Sequence, residues 1–376
     1  MLRLLVPALL LASAVLGSAA ATCSSDLGCS LNGACTAGSC ACDPGWSGAE
    51  CELLALAPSP PGGAYGYAPN ISSWGAHVIR HPSDSLYHMF VSEFWGNCGV
   101  HESWQQDSHV VHATAATPLG PFKYVDTALP PEATCMHIAM NGSTIVMFHQ
   151  GRSGSGQGKL VNCSDALPMP KEDWRPVPQH KVHSSDSPTG PWKSGGGEMP
   201  PGINCENPAP LRLPNGSTAV FCHGPGIRLW VSAGTTPAPV RFILSPGESP
   251  IPHTVWEDPF VYLDRNGHWH LLSHVYPTNT SNWLEYADIV AGHAFSVDGL
   301  DWKFHPTPPY SADVVGTDGS RLHYATRERP FLLLSEDAAR RPLALFTAVC
   351  EPGRPKQNAS KDGGDYSFTH VSPVAK

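Results

Sequence analysis

Three times along the chain a Glu-x-Pro tripeptide opens an extended segment: Glu206-Asn207-Pro208, Glu257-Asp258-Pro259 and Glu328-Arg329-Pro330. Each opens a short apolar run, followed by a turn and a second apolar run that ends on a polar residue, a cysteine or a histidine. Two carboxyl groups flanking a sugar can cleave a glycosidic bond, one protonating the leaving oxygen and the other serving as base or nucleophile. Glu257, Asp258, Glu328 and Glu206 are therefore the candidate catalytic residues. Each has a structural alternative. Glu257 and Asp258 can bind backbone amides or a neighbouring arginine instead, and Glu328 lies between Arg327 and Arg329, placed for an inter-blade ion pair.

Such residues must be carried by elements that converge. The clearest copy reads Trp256 to Tyr262, an Asn266-Gly267 turn, then Trp269 to His274, which is hairpin grammar. Degenerate copies lie at Trp74 to Glu93 and at Cys135 to Gln150. Five such units, roughly 50–70 residues apart, indicate a repeat of stacked hairpins closing into a five-bladed β-propeller. In a hairpin, the start of strand one and the end of strand two share an edge. Trp74, His137, Glu206, Glu257 or Asp258, and Glu328 are then expected at the funnel mouth, with Glu93, His149 and Gln150, His223, His274 and Cys350. Trp74, Glu93, His149, His223, His274 and Trp256 are the expected substrate-binding set, and Trp95 and Trp104 also suit stacking on sugars. A second phrase recurs between repeats, ending on Phe122, Trp192 and Trp302, and suggests an outer hairpin whose aromatic packs on the sheet.

The chain has 376 residues, with 36 glycines, 38 prolines and only 15% charged residues. Long amphipathic helices are absent, which favours a loop-rich all-β protein. The formal charge of −9 is spread without blocks, so nucleic acid is not an expected partner. Residues 1–21 read as a signal peptide: Arg3, an apolar Leu4 to Leu16, and Ala19-Ala20-Ala21 as cleavage site. Retained uncleaved, the same segment would be a one-pass anchor; cleaved, it leaves a secreted protein with no membrane span. Six Asn-x-Ser/Thr sequons fit export, and Asn141 and Asn215, each followed by glycine in a hairpin turn, are the expected glycosylation sites.

Six of the twelve cysteines, Cys23, Cys29, Cys35, Cys40, Cys42 and Cys51, crowd into a segment too short to bury a core of its own. Spacing alone permits 15 pairings. A zinc site is disfavoured by the export context and the spacing. The stretch from Cys40 to Cys51, with Gly45, Trp46 and Gly48, resembles the EGF-like domain. That resemblance implies Cys23–Cys35, Cys29–Cys40 and Cys42–Cys51, and an extracellular protein partner; no acidic residue precedes Cys23 to bind calcium. The domain plan is a signal at 1–21, an EGF-like domain at 22–52, a linker at 53–68 and the propeller at 69–376. Cys205–Cys222 is expected to bridge one hairpin.

Residues 69–376 resemble the five-bladed propellers of family-43 and family-32 glycoside hydrolases, especially family 43. The residues that carry this are Ser-Asp-Ser-Pro-Thr-Gly-Pro-Trp at 185–192 and Trp-Glu-Asp-Pro with its hairpin at 256–274. The resemblance implies an Asp base from the first blade, an Asp that tunes the acid, and a Glu acid. This chain departs from that pattern at the first blade, where Ser72 to His77 holds no carboxylate, and at Asn207, where an Asp is expected. Glu93 or Asp107 can replace the base. Among the 19 histidines no sharp metal-ligand spacing stands out, and neither metal nor cofactor is expected. The glycine-rich stretch 151–158 opens no helix, as phosphate binding would require. The sequence therefore predicts a secreted carbohydrate-active propeller, an inverting glycosidase, with an inactive glycan-binding or adhesion protein as the alternative.

Overall fold

The computed structural model describes residues 23–68, 71–94, 108–130, 133–151, 179–195, 205–224, 226–232, 242–244, 256–275, 290–350 and 367–376. The candidate signal peptide, Trp95, Cys98, Trp104, Asp107 and Cys163 lie outside these residues.

The small N-terminal module holds four short strands, β1 (Gly33–Thr36), β2 (Ser39–Cys42), β3 (Trp46–Ser47) and β4 (Leu53–Leu54), paired as β1-β2 and β3-β4. Its disulfides are Cys23–Cys35, Cys29–Cys40 and Cys42–Cys51, the pairing the EGF resemblance implied.

Four four-stranded antiparallel sheets follow, each laid down in sequence order. They are β5 (Ser73–Arg80), β6 (Tyr87–Phe94), β7 (Ser108–Ala115) and β8 (Lys123–Leu129); then β9 (Ala133–Asn141), β10 (Thr144–Gly151), β11 (Gln179–Ser185) and β12 (Lys193–Ser194). The third is β13 (Glu206–Arg212), β14 (Thr218–Gly224), β15 (Gly226–Ser232) and β16 (Phe242–Leu244). The fourth is β17 (Trp256–Leu263), β18 (Trp269–Val275), β19 (Val290–Ser296) and β20 (Lys303–His305). After a short β21 (Asp313–Val315) and β22 (Arg321–His323) hairpin comes a three-stranded sheet, β23 (Thr326–Leu334), β24 (Pro342–Cys350) and β25 (Ser367–Pro373). The fold is propeller-like, with four four-stranded blades. Where a fifth blade was expected, the described residues form three strands.

The first strands are neighbours in a closed cycle: β5 beside β9, β9 beside β13, β13 beside β17, β17 beside β23, and β23 beside β5. The aromatic that ends each outer phrase packs on the sheet before its own. Trp192 meets Phe90 edge-on at 5.5 Å, Trp302 meets Phe221 at 5.6 Å, and Phe122 of the first blade reaches Phe346 of the three-stranded sheet at 6.2 Å. The recurring phrase thus joins neighbouring sheets, a step beyond the expected packing on a single sheet.

The EGF-like module lies against the far end of this ring. Trp46 is buried and stacks on His293 of β19 at 5.2 Å, Asp43 pairs with Arg265 at 2.6 Å, and Glu50 meets His305 at 2.8 Å. Gly45, at φ 93°, allows the chain to lie on Val374 and Pro342, since a Cβ there would stand 3.0 Å from Val374 Cγ1. Segment 53–68 is bound along its length: Leu56 bridges Val374, Ser59 bridges Gly316 and Tyr65 bridges Thr369. Trp46, Leu54, Ala64 and Tyr65 share one apolar cluster with Phe331, Leu345 and Phe346. Burying a large apolar side chain contributes about 1.5–3 kcal/mol, so module and propeller stabilise one another.

Candidate functional site

These three Glu-x-Pro tripeptides lie in the opening residues of the first strands β13, β17 and β23, and their register explains the motif. Glu257 pairs with His274 and Phe260 with Leu272, so Asp258 and Pro259 face a single residue across the ladder. The same slip follows Glu206, paired with His223, and Glu328, paired with Ala348. A bulge leaves one position unpaired, where a proline without an N–H costs no ladder hydrogen bond. The x residue adopts the left-handed conformation, with φ of 50° at Asn207, 50° at Asp258 and 48° at Arg329. This is tolerable for Asn and Asp and costs about 1–2 kcal/mol for a residue such as arginine. The ladder holds all three so that their side chains meet. Arg329 donates through Nη1 to Asp258 Oδ1 at 2.7 Å and to Asn207 Oδ1 at 3.2 Å. In the first blade the bulge residue is Gly75, at φ 64°, and Arg329 lies over it: a Cβ there would come within 2.6 Å of Nε.

Above this cross-link sits His274. Its Nε2 is 3.2 Å from Glu257 Oε2, and its Nδ1 is 3.1 Å from Asp258 Oδ2 and 3.9 Å from Glu328 Oε2. Burial opposes a charge on this imidazole, but the carboxylates of Asp258 and Glu257 outweigh it and push its pKa up to about 10. Glu328 responds to the same surroundings in the other direction. Burial raises its carboxyl to about 7, against the lowering effect of His274 and with the help of Asp258 and Glu257. A carboxyl half-protonated near neutrality is suited to proton donation.

Glu257 faces a second imidazole. His223 Nδ1 lies 3.4 Å from Glu206 Oε2 and 3.9 Å from Glu257 Oε1, and Asn207 Nδ2 donates to Glu257 Oε1 at 3.4 Å. Below the ring, His77 Nε2 and His137 Nδ1 share a proton at 3.0 Å, and Arg329 Nη2 is 3.3 Å from His137 Nε2. By register these two histidines occupy the place that Phe260 and Phe331 hold in their own sheets, and His77 packs on both rings. Burial, with the cation of Arg329 beside it, lowers His77 to about 3, and burial holds His137 well below the ordinary value too.

The structure therefore brings together Glu206, Glu257, Asp258, Glu328, His223 and His274. The inter-blade ion pair expected at Glu328 is made by its neighbour Arg329, with Asp258, across a sheet boundary. Arg327 turns away, donating to Ser311 O and Ser372 Oγ over the Tyr310 ring. Three expected substrate contacts are positioned otherwise. Trp256 is buried edge-on to Phe304, as core packing. His149 binds Gln150 O and His183, on the ladder face opposite the one that bears His274 in the fourth blade. Glu93 takes the register of Val275 and accepts from Tyr65 at 2.6 Å, with His109 at 3.8 Å. Trp74 is the first blade's counterpart of Glu257. Cys205–Cys222 forms as expected and pins the start of β13 opposite its bulge.

Asp258, His274 and Glu328 each offer a ligand atom, all within 4.8 Å, and could hold a metal ion. Arg329 and the doubly contacted His274 already supply positive charge there. Sequence reasoning followed the glutamates and missed Asn207, Arg329, His77 and the role of His137. The signal was present in the x of the repeated tripeptide, which the bulge turns toward its counterparts.

Fold and ring together define a propeller with an axial carboxylate–imidazole site. Residues 23–53 match the Teneurin-like EGF domain family. Among solved structures the chain is similar to a family 117 glycoside hydrolase of the marine bacterium Zobellia galactanivorans, with 12% identity, a TM-score of 0.54, and 85% of this chain and 89% of that one covered. It is similar to a thermostable family-43 glycoside hydrolase, with 13% identity, a TM-score of 0.53 and coverage of 84% and 92%. An endo-arabinase from Bacteroides thetaiotaomicron gives 11% identity, a TM-score of 0.52 and coverage of 85% and 98%. At these identities the likeness is one of fold. No curated protein sequence matches the chain significantly.

Proposed function

We propose that this chain is a secreted carbohydrate-active protein, a glycosidase built on a five-bladed propeller in which the three-stranded sheet is the fifth blade. The observation that carries this reading is the convergence of two Glu-x-Pro starts on His274 and of the third, through Glu206, on His223, with the Glu328 carboxyl raised to about 7 by burial. Glu328 protonates the leaving glycosidic oxygen. A carboxylate from the Glu206 and Glu257 side of the ring assists the attacking water, which gives inversion at the anomeric carbon. Likeness of fold to the hydrolases above supports a carbohydrate substrate. The disulfide-rich EGF-like module fits an extracellular setting, and no helix among the described residues is long and apolar enough to cross a membrane.

A second reading has its own observation. Gly75 leaves the first blade without a side chain at the bulge, and Arg329, which lies over it, pairs with Asp258 of β17. A propeller that binds glycans without cleaving them fits that arrangement. Reducing-sugar release by the purified protein across plant and algal polysaccharides, beside Glu328→Gln and Glu257→Gln, separates the two. Release that is lost in Glu328→Gln supports the hydrolase; saturable binding of a polysaccharide with no release supports the second reading.

A further inference from the structure

Resting on the glycosidase reading, we infer that Glu206 is the catalytic base and that His223 is the residue that positions it, in place of the carboxylate the first blade lacks. Glu206 belongs to β13 and Glu328 to β23, and the two strands are separated in the ring by β17. They are thus the two glutamates of the set on non-adjacent strands, as an acid and a base on opposite sides of a sugar require. Glu257 is less suited, because it lies between them and is held by His274 Nε2 and Asn207 Nδ2. Exposure points the same way: 36% of the Glu206 side chain is accessible, against 24% for Glu257 and 11% for Glu328.

His223 reaches the solvent-open part of the ring with 17% of its side chain, whereas His274 reaches it with 2%. Among the described residues its Nδ1 faces two carboxylates, Glu206 Oε2 at 3.4 Å and Glu257 Oε1 at 3.9 Å, so Nδ1 carries a hydrogen. The charged groups that bear on it are Glu206 on β13 and Glu257 and Asp258 on β17. Burial disfavours its charge, yet these carboxylates outweigh burial and hold the imidazole above its ordinary value. Cys205–Cys222, one residue from each partner, fixes the start of β13 against β14. In the reaction, water loses a proton to a Glu206 oxygen while its own oxygen bonds to the anomeric carbon. The glycosidic C–O bond breaks, and the leaving oxygen keeps that electron pair and takes the proton of Glu328.

The test compares wild type with Glu206→Gln, Glu206→Asp and His223→Asn on the polysaccharide of the panel above that releases sugar fastest. It is combined with a nitrogen-15 NMR titration of the His223 imidazole, which needs no substrate. Expected are kcat losses on the order of 10²–10⁴-fold in both Glu206 variants. His223→Asn loses about tenfold in kcat with little change in KM, and the His223 midpoint falls in Glu206→Gln. The shorter Glu206→Asp keeps the charge, so its loss of kcat with an unchanged circular dichroism spectrum reports on reach and not on folding. An active wild type with Glu206→Gln within a few-fold of it overturns this inference and leaves the glycosidase reading standing. A wild type that releases nothing from any polysaccharide overturns both.

Discussion

The first and fourth blades place different residues at one position of the same ladder, Gly75 in one and Asp258 in the other. Both take a left-handed φ at a bulge that opens the first strand. At Asp258 the bulge delivers a carboxylate to Arg329 and His274; at Gly75 it leaves a gap that Arg329 fills. One backbone device, repeated around a ring, therefore supplies either chemistry or room for a neighbour's side chain. The layer below differs as well, with His77 in the first blade where Phe260 stands in the fourth.

The largest effect is expected from removing the residue that joins the two positions. Arg329→Met removes the cation nearest to buried Asp258 and leaves it His274, and should cost about 3–5 kcal/mol in denaturant unfolding. Arg329 also lowers the Glu328 carboxyl, so the variant should move that midpoint above about 7. An unfolding midpoint within error of wild type would mean that Asp258 finds equal compensation elsewhere.

The histidines of the two blades should respond to pH with opposite signs. His77 is depressed to about 3 in the folded protein, so its contribution is present above pH 6.5 and is lost as pH falls toward 3. His274 is raised to about 10, so its contribution is present below pH 6.5 and is lost as pH rises toward 10. His77→Phe, which installs the fourth blade's residue, should flatten the acid fall in thermal midpoint between pH 6.5 and 4. His274→Gln should flatten the alkaline fall. A scan of thermal midpoint against pH checks both.

Gly75→Ala should cost about 1–3 kcal/mol, from the contact with Arg329 and the left-handed φ. In an Arg329→Met background the contact part of this cost should shrink, and a double-mutant cycle reads the difference. The smallest effect is expected at Asn207→Gly. Relief of the left-handed conformation there offsets part of the lost hydrogen bonds to Arg329 and Glu257, leaving about 1 kcal/mol or less.

The hairpins were legible because alternation and Asn-Gly turns are local signals. The glutamates were legible as a set because the tripeptide repeats. The ring closure was half legible: the phrases ending on Phe122, Trp192 and Trp302 announced an aromatic in a fixed place, but only the structure shows that each packs on the preceding sheet. Arg329 could not be read from spacing, since its partners Asp258 and Asn207 lie 71 and 122 residues away. Glu93 and His149 were misplaced for a physical reason. A strand end is at the mouth as backbone, yet the bulge decides which of two successive side chains turns to the axis. Trp256 precedes its bulge and packs inward for the same reason.

Whether Glu328 is held as an acid within the ring can be measured without knowing the sugar. Infrared difference spectra of the carboxyl stretch, recorded between pH 4 and 9 for wild type and Glu328→Gln, isolate this one group. A band assigned to Glu328 that titrates near 7 is the predicted result. A band that titrates near the ordinary carboxylate value of about 4.3 would contradict the account, because the proton donor would then be ionised at neutral pH.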